Sequence, residues 1–131
     1  MKRLIYQVYT GKRSELYDHC TQSVKEYADR IGAHYLIQRE PILCIAPDIF
    51  TTNRSRESYE KYGGFLPIYE KENAFAYLDS YDQIAIIDAD IFIRPDCDEC
   101  VFSASGTDCD FAGVIERTMA ITPEYQAKIH N

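Results

Sequence analysis

Tyr81-Asp82-Gln83-Ile84-Ala85-Ile86-Ile87-Asp88-Ala89-Asp90 is the stretch on which the reading of this chain turns. Ile84 to Ile87 is apolar without alternation, the pattern of a parallel strand covered on both faces, and this predicts a central strand. Ile91-Phe92-Ile93 extends the run briefly before Arg94-Pro95-Asp96 turns the chain. The run therefore ends in carboxylates, and in an open α/β sheet the carboxyl ends of the strands are where ligands bind. That placement rests on Ile84 to Ile87 being an inner strand.

Upstream, Leu4 to Tyr9 is a nearly continuous apolar and aromatic run stopped by Gly11, a second predicted strand. Ser14 suits a helix N-cap, and Leu16, Tyr17, Cys20, Val24, Tyr27, Ala28 and Ile31 recur on one helical face before Gly32 ends it. Ala33 to Ile37 is the next strand, so the chain opens strand, helix, strand, which predicts a right-handed parallel crossover. Ile42 to Phe65 is less regular, with a short charged helix expected near Ser55 to Tyr62, and reads as an excursion over the carboxyl ends. Pro67 can open a further helix that Ile68, Phe75, Tyr77 and Leu78 would bury before Asp79-Ser80 ends it. A short helix is expected after Asp96. Phe111 to Ile115 is the fourth predicted strand, ending at Glu116. The alternation predicts a mainly parallel sheet flanked by helices, an α/β/α sandwich, in a single domain over 1–131.

Composition narrows the function classes. The net charge is −7, which argues against nucleic acid as main partner, because phosphate backbones demand clustered Lys and Arg. No stretch is long and apolar enough to span a bilayer. No signal peptide is expected, since Gln7 and Thr10-Gly11 interrupt the first apolar run. A cytoplasmic, reducing setting follows, in which the five cysteines stay free. Cys97 and Cys100 have metal-ligand spacing, but only Cys109 is a nearby third thiol, and a structural zinc site needs four ligands.

Asp-x-Asp occurs three times, at Asp88/Asp90, Asp96/Asp98 and Asp108/Asp110. With this many aspartates roughly one such pair arises by chance, so the pattern alone decides nothing. Only Asp88/Asp90 directly follows a buried apolar strand. Two carboxylates at i and i+2 on an extended segment point the same way and can reach one ion. Hard oxygen ligands suit Mn²⁺ or Mg²⁺, which fill their remaining positions with water and phosphate. The bland reading is that Asp88 caps the following turn and Asp90 is solvated. Arg13 and Arg54 could neutralise phosphate, with no motif behind them.

The thirteen residues Tyr81 to Ile93 resemble the Asp-x-Asp signature of GT-A-fold glycosyltransferases, a nucleotide-diphospho-sugar transferase superfamily, and most of all its glycogenin-like members. The resemblance implies a GT-A-like, Rossmann-like sheet and transfer of a glycosyl group from a nucleoside diphosphate sugar to a hydroxyl acceptor on a glycan, lipid or protein. It implies that Tyr9, Thr10 and Gly11 lie beside the base and ribose, and that Lys71 approaches the donor. Lys71 reads equally as a solvated helix lysine. Ala89, being small, would let the diphosphate come close. The metal held by Asp88 and Asp90 would take up charge on the departing diphosphate. No catalytic base is identified.

Similar transferases continue well past this motif to supply a third metal ligand, often His. Here His130 matches no such motif, so the chain resembles an incomplete transferase domain. The alternative is therefore an inactive nucleotide-binding or interaction module, whose exposed apolar surface a homo-oligomer could cover. A haloacid-dehalogenase-type phosphatase would carry its Asp-x-Asp near the N-terminus, followed by a Gly-Thr type turn. A sugar nucleotidyltransferase would need a Gly-rich loop that Thr10-Gly11-Lys12-Arg13 does not supply.

Overall fold

The computed structural model describes residues 1–42, 70–106 and 108–113. β1 (Arg3–Val8), α1 (Glu15–Ile31), β2 (His34–Gln38), a 3₁₀ helix (Lys71–Tyr77), β3 (Gln83–Ile86) and α2 (Val101–Ala104) follow in that order. The three strands form a parallel sheet in the order β2-β1-β3, with Leu4 opposite both His34 and Ile84. This is a small α/β domain of generic Rossmann-like architecture.

Alternation along the strands divides the core in two. Ile5, Tyr35, Ala85 and Ile87 face α1, where they meet Val24, Tyr27 and Ala28, and Phe102 of α2 closes that cluster. Leu4, Tyr6, Val8, Leu36 and Ile84 face the other way and pack on Ala74 and Tyr77 of the 3₁₀ helix. Helical elements thus cover both faces of the sheet.

Several expectations shift in detail. Among the described residues β1, and not the Ile84 run, is the strand paired on both sides, and it is buried from Leu4 to Val8. β3 pairs with a described strand on one side only, and its residues are half-buried, with Ile86 exposed. An unbroken apolar run reports that both faces are covered, but says nothing about which strand edges are paired. Ile91 to Ile93 does not continue the strand, because the chain turns at Asp88. Phe111 to Gly113 is irregular and Phe111 is 86% exposed, whereas Val114, Ile115 and Glu116 lie outside the described residues. So do Cys44, Arg54, the helix expected at Ser55 to Tyr62, Pro67, Ile68 and His130.

Helix α1 ends as its glycine predicts. Gly32 adopts φ 72°, the left-handed conformation, and the Ala33 amide donates to the Ala28 carbonyl at 2.9 Å. Its start differs: Leu16 is 63% exposed and Tyr17 is exposed too, so the buried face runs from Cys20 to Ala28. The Ser14 side chain makes no capping bond. Its amide is instead held by the Tyr9 hydroxyl at 2.7 Å. In the 3₁₀ helix Phe75 is exposed, as is Leu78 just past its end, and Ala74 and Tyr77 are turned inward. A three-residue turn aligns i with i+3, which moves the apolar face by comparison with an α-helix.

Candidate metal and phosphate site at the carboxyl ends of the strands

The chain leaves β1 through α1 to reach β2 on one side, and later arrives at β3 on the other. Connections to opposite sides of β1 make a reversal of strand order between β1 and β3, and the carboxyl ends at such a reversal are the usual ligand position in open α/β sheets. The location of Asp88 and Asp90 therefore rests on this topological switch, not on β3 being central.

Asp88 to Ile91 forms a turn, in which the Ile91 amide donates to the Asp88 carbonyl at 3.2 Å. The two carboxylates consequently stand on a turn and not on the extended segment that their spacing suggested. Both residues are exposed. The backbone beneath them is fixed from inside the sheet: the Ile87 amide donates to the Tyr6 carbonyl at 3.1 Å, and Gln7 Nε2 donates to the Asp88 carbonyl at 3.1 Å. Gln7 Oε1 in turn accepts from the Tyr35 hydroxyl at 2.7 Å, and burial pushes that hydroxyl up to about 12. A fully buried Gln in an inner strand needs such partners, because an unpaired amide there would be costly. Sequence reading saw Gln7 only as a break in an apolar run.

Lys71 is brought to the site. Its Nζ forms an ion pair with Asp88 Oδ1 across seventeen residues of sequence, with Lys71 the more buried partner. Its helix is anchored by the preceding residue. The buried Glu70 carboxylate accepts from Gln38 Nε2 at 2.8 Å, Asn73 Nδ2 at 2.6 Å and the Ile42 amide at 3.1 Å. The Tyr6 hydroxyl donates to Gln38 Oε1 in the same network; burial raises its pKa, and Tyr77 and Glu70 add to the effect.

At the end of β1, Tyr9 is buried, and its hydroxyl accepts from Ser14 and donates to Asp18 Oδ1 at 2.9 Å. That hydroxyl holds the loop into α1. Thr10 is half-buried, and Gly11 takes φ 87°, which a side chain at that position would resist. Arg13 is exposed and makes no ion pair among the described residues. Arg39 was missed. Its guanidinium lies 3.7 Å from the Tyr9 ring centroid and donates to the Tyr9 carbonyl, which puts a second cation at the carboxyl ends. Its position one residue past β2 was the available signal. Ala89 is half-buried within the turn.

The donor set is two exposed hard-oxygen carboxylates, which suits Mn²⁺ or Mg²⁺ completed by phosphate and water. Among the described residues no group of three or more His, Cys, Asp or Glu side chains is placed to hold a metal ion. Cys20, Cys97, Cys100 and Cys109 are free thiols, and no helix among the described residues is long and apolar enough to cross a membrane. Comparison with protein-family models, curated proteins and solved structures gives no match.

Proposed function

We propose that this domain binds a nucleoside diphosphate sugar through a divalent cation at Asp88 and Asp90 and transfers its glycosyl group to a hydroxyl acceptor, as a GT-A-type glycosyltransferase. One observation carries the reading: the Asp88-Ala89-Asp90 turn, with Lys71 paired to it, stands at the switch point of the sheet beside the Tyr9-Thr10-Gly11 end of β1. Asp88 and Asp90 would hold the cation, which when bound supplies Lewis acidity to the leaving diphosphate. Gln7 keeps the turn in place, and Lys71 and Arg39 supply positive charge near the phosphates. Ala89 leaves room for the diphosphate, and Gly11 lets the β1 end approach the nucleoside.

Calorimetric titration with a nucleoside diphosphate and Mn²⁺ tests this. Asp88→Asn and Asp90→Asn are each expected to abolish Mn²⁺-dependent binding with the fold intact, because an amide offers a dipole where a carboxylate offers full charge. Asp96→Asn and Asp108→Asn should bind like wild type. Equal losses at all four would indicate general electrostatics, and no loss at Asp88 or Asp90 would remove the case for this site.

A second reading, a binding module without turnover, is favoured by the two-carboxylate donor set found among the described residues. Binding without donor hydrolysis or transfer would select it.

A further inference from the structure

We propose that Lys71 is an exchangeable counter-ion. In the chain by itself it neutralises Asp88; a divalent cation displaces it, and its charge passes to the diphosphate that the cation brings. The inference rests on the site reading given above.

Lys71 contacts Asp88 Oδ1, one of the carboxylate oxygens on which the proposed cation site depends. An ammonium and a dication cannot share that oxygen without strong like-charge repulsion. The pair is readily broken. Asp88 is 57% exposed and Lys71 30%, and partly exposed pairs of this kind contribute little to stability. What the pair lacks in strength, the backbone supplies in placement. Glu70, clamped by Gln38, Asn73 and the Ile42 amide, fixes the start of the 3₁₀ helix, so a displaced Lys71 stays beside the site. Its flexible four-carbon stem carries a compact charge that can move a few ångströms while its Cα does not. The two carboxylates already cancel the charge of one divalent cation. The diphosphate then arrives with its own charge unmet, and the released ammonium joins Arg39 in meeting it.

The exchange makes two affinities move in opposite directions when Lys71 is replaced. The 131-residue chain and its Lys71→Met variant would be titrated with MnCl₂ alone, and then with UDP, GDP and ADP at saturating Mn²⁺. Lys71→Met is expected to bind Mn²⁺ alone about two- to fivefold more tightly, because a competing cation is gone. It should bind whichever diphosphate wild type takes at least about tenfold more weakly, since a charge-assisted hydrogen bond is lost. Lys71→Arg, which keeps the charge, should restore most of the diphosphate affinity. A merely structural lysine would lower both affinities together or change neither, and either result overturns the exchange. Wild type that binds neither Mn²⁺ nor any of the three diphosphates would overturn the site reading itself.

Discussion

The two faces of β1 offer alternate residues of one strand to different chemistry. Ile5 points into an apolar cluster of Val24, Tyr27, Ala28 and Phe102, beside which the buried Gln7 is paired with the Tyr35 hydroxyl. One residue along, Tyr6 points into a face where Leu4, Val8 and Ala74 adjoin the buried Gln38 amide and Glu70 carboxylate and the half-buried Asn73 amide. The first face resembles an ordinary hydrophobic core, stabilised by area removed from water and insensitive to orientation. The second is directional: each hydrogen bond fixes where the 3₁₀ helix begins and so where Lys71 stands. The α1 face supplies the apolar packing and, through Gln7 and Tyr35, holds the Asp88 turn, whereas the other face aims Lys71.

Substitutions can break that contrast or sharpen it. Ile5→Ala should have the largest effect, about 2–5 kcal/mol of stability lost in urea denaturation, because the cavity opens in a fully buried, tightly packed cluster. A loss within 1 kcal/mol would mean that the α1 face is not the main stabilising layer. Glu70→Ala should cost less, about 1–3 kcal/mol, by removing the acceptor shared by Gln38, Asn73 and the Ile42 amide. It should also weaken Mn²⁺-dependent diphosphate binding, although Glu70 is not one of the proposed ligands. Unchanged binding in a folded Glu70→Ala protein would separate the network from the site.

Alkaline pH probes the polar groups on both faces. Burial raises the pKa of Tyr35 to about 12 from 10.0, and burial likewise raises Tyr6 and Tyr27. Between those limits the folded protein keeps a proton that the unfolded chain has lost, so stability is present below pH 10 and falls as pH rises towards 12. Tyr35→Phe should flatten that decline in denaturation curves, at a cost near neutrality of about 1 kcal/mol for the lost bond to Gln7. A slope unchanged by this variant would place the alkaline transition elsewhere. Arg94 and Asp96 serve as the reference outside both faces. Their 2.7 Å ion pair is largely exposed, and Asp96→Ala should change thermal stability by less than about 0.5 kcal/mol.

Cys100 stands beside a cationic side chain. Burial acts to raise its pKa, but hydrogen bonds from Ser103 and Phe102 together with the Arg3 charge outweigh it and bring the thiol below its ordinary value. Sequence spacing had drawn attention to Cys97 and Cys100 as possible metal ligands, whereas the structure sets Cys100 against the Arg3 guanidinium at 3.9 Å.

Strand, helix, strand and strand were legible in the sequence because apolar periodicity, a terminal glycine and unbroken β-branched runs are local signals. The expected Leu4 to Tyr9 and Ala33 to Ile37 each differ from the observed strand by one residue at either end, and α1 starts one residue past Ser14. Asp88, Asp90 and Lys71 were legible as candidates for the same reason: carboxylates after a strand and a lysine on the helix before it are visible without coordinates. Other features were decided by contacts between distant residues. Strand order is one, since pairing β3 with β1 joins Leu4 to Ile84 and no local pattern encodes it. The partners of Gln7 are another, because a buried amide in a strand predicts that partners exist but not that they are Tyr35 and Asp88. Arg39 over Tyr9 and Glu70 behind Lys71 belong to this class as well. The sequence by itself determined the elements and the chemical type of the candidate site, because both follow from local periodicity and residue chemistry. Only the tertiary structure decided which strand is inner, which cations stand at the carboxyl ends and what holds the Asp88 turn, because those depend on side chains that meet across the sheet.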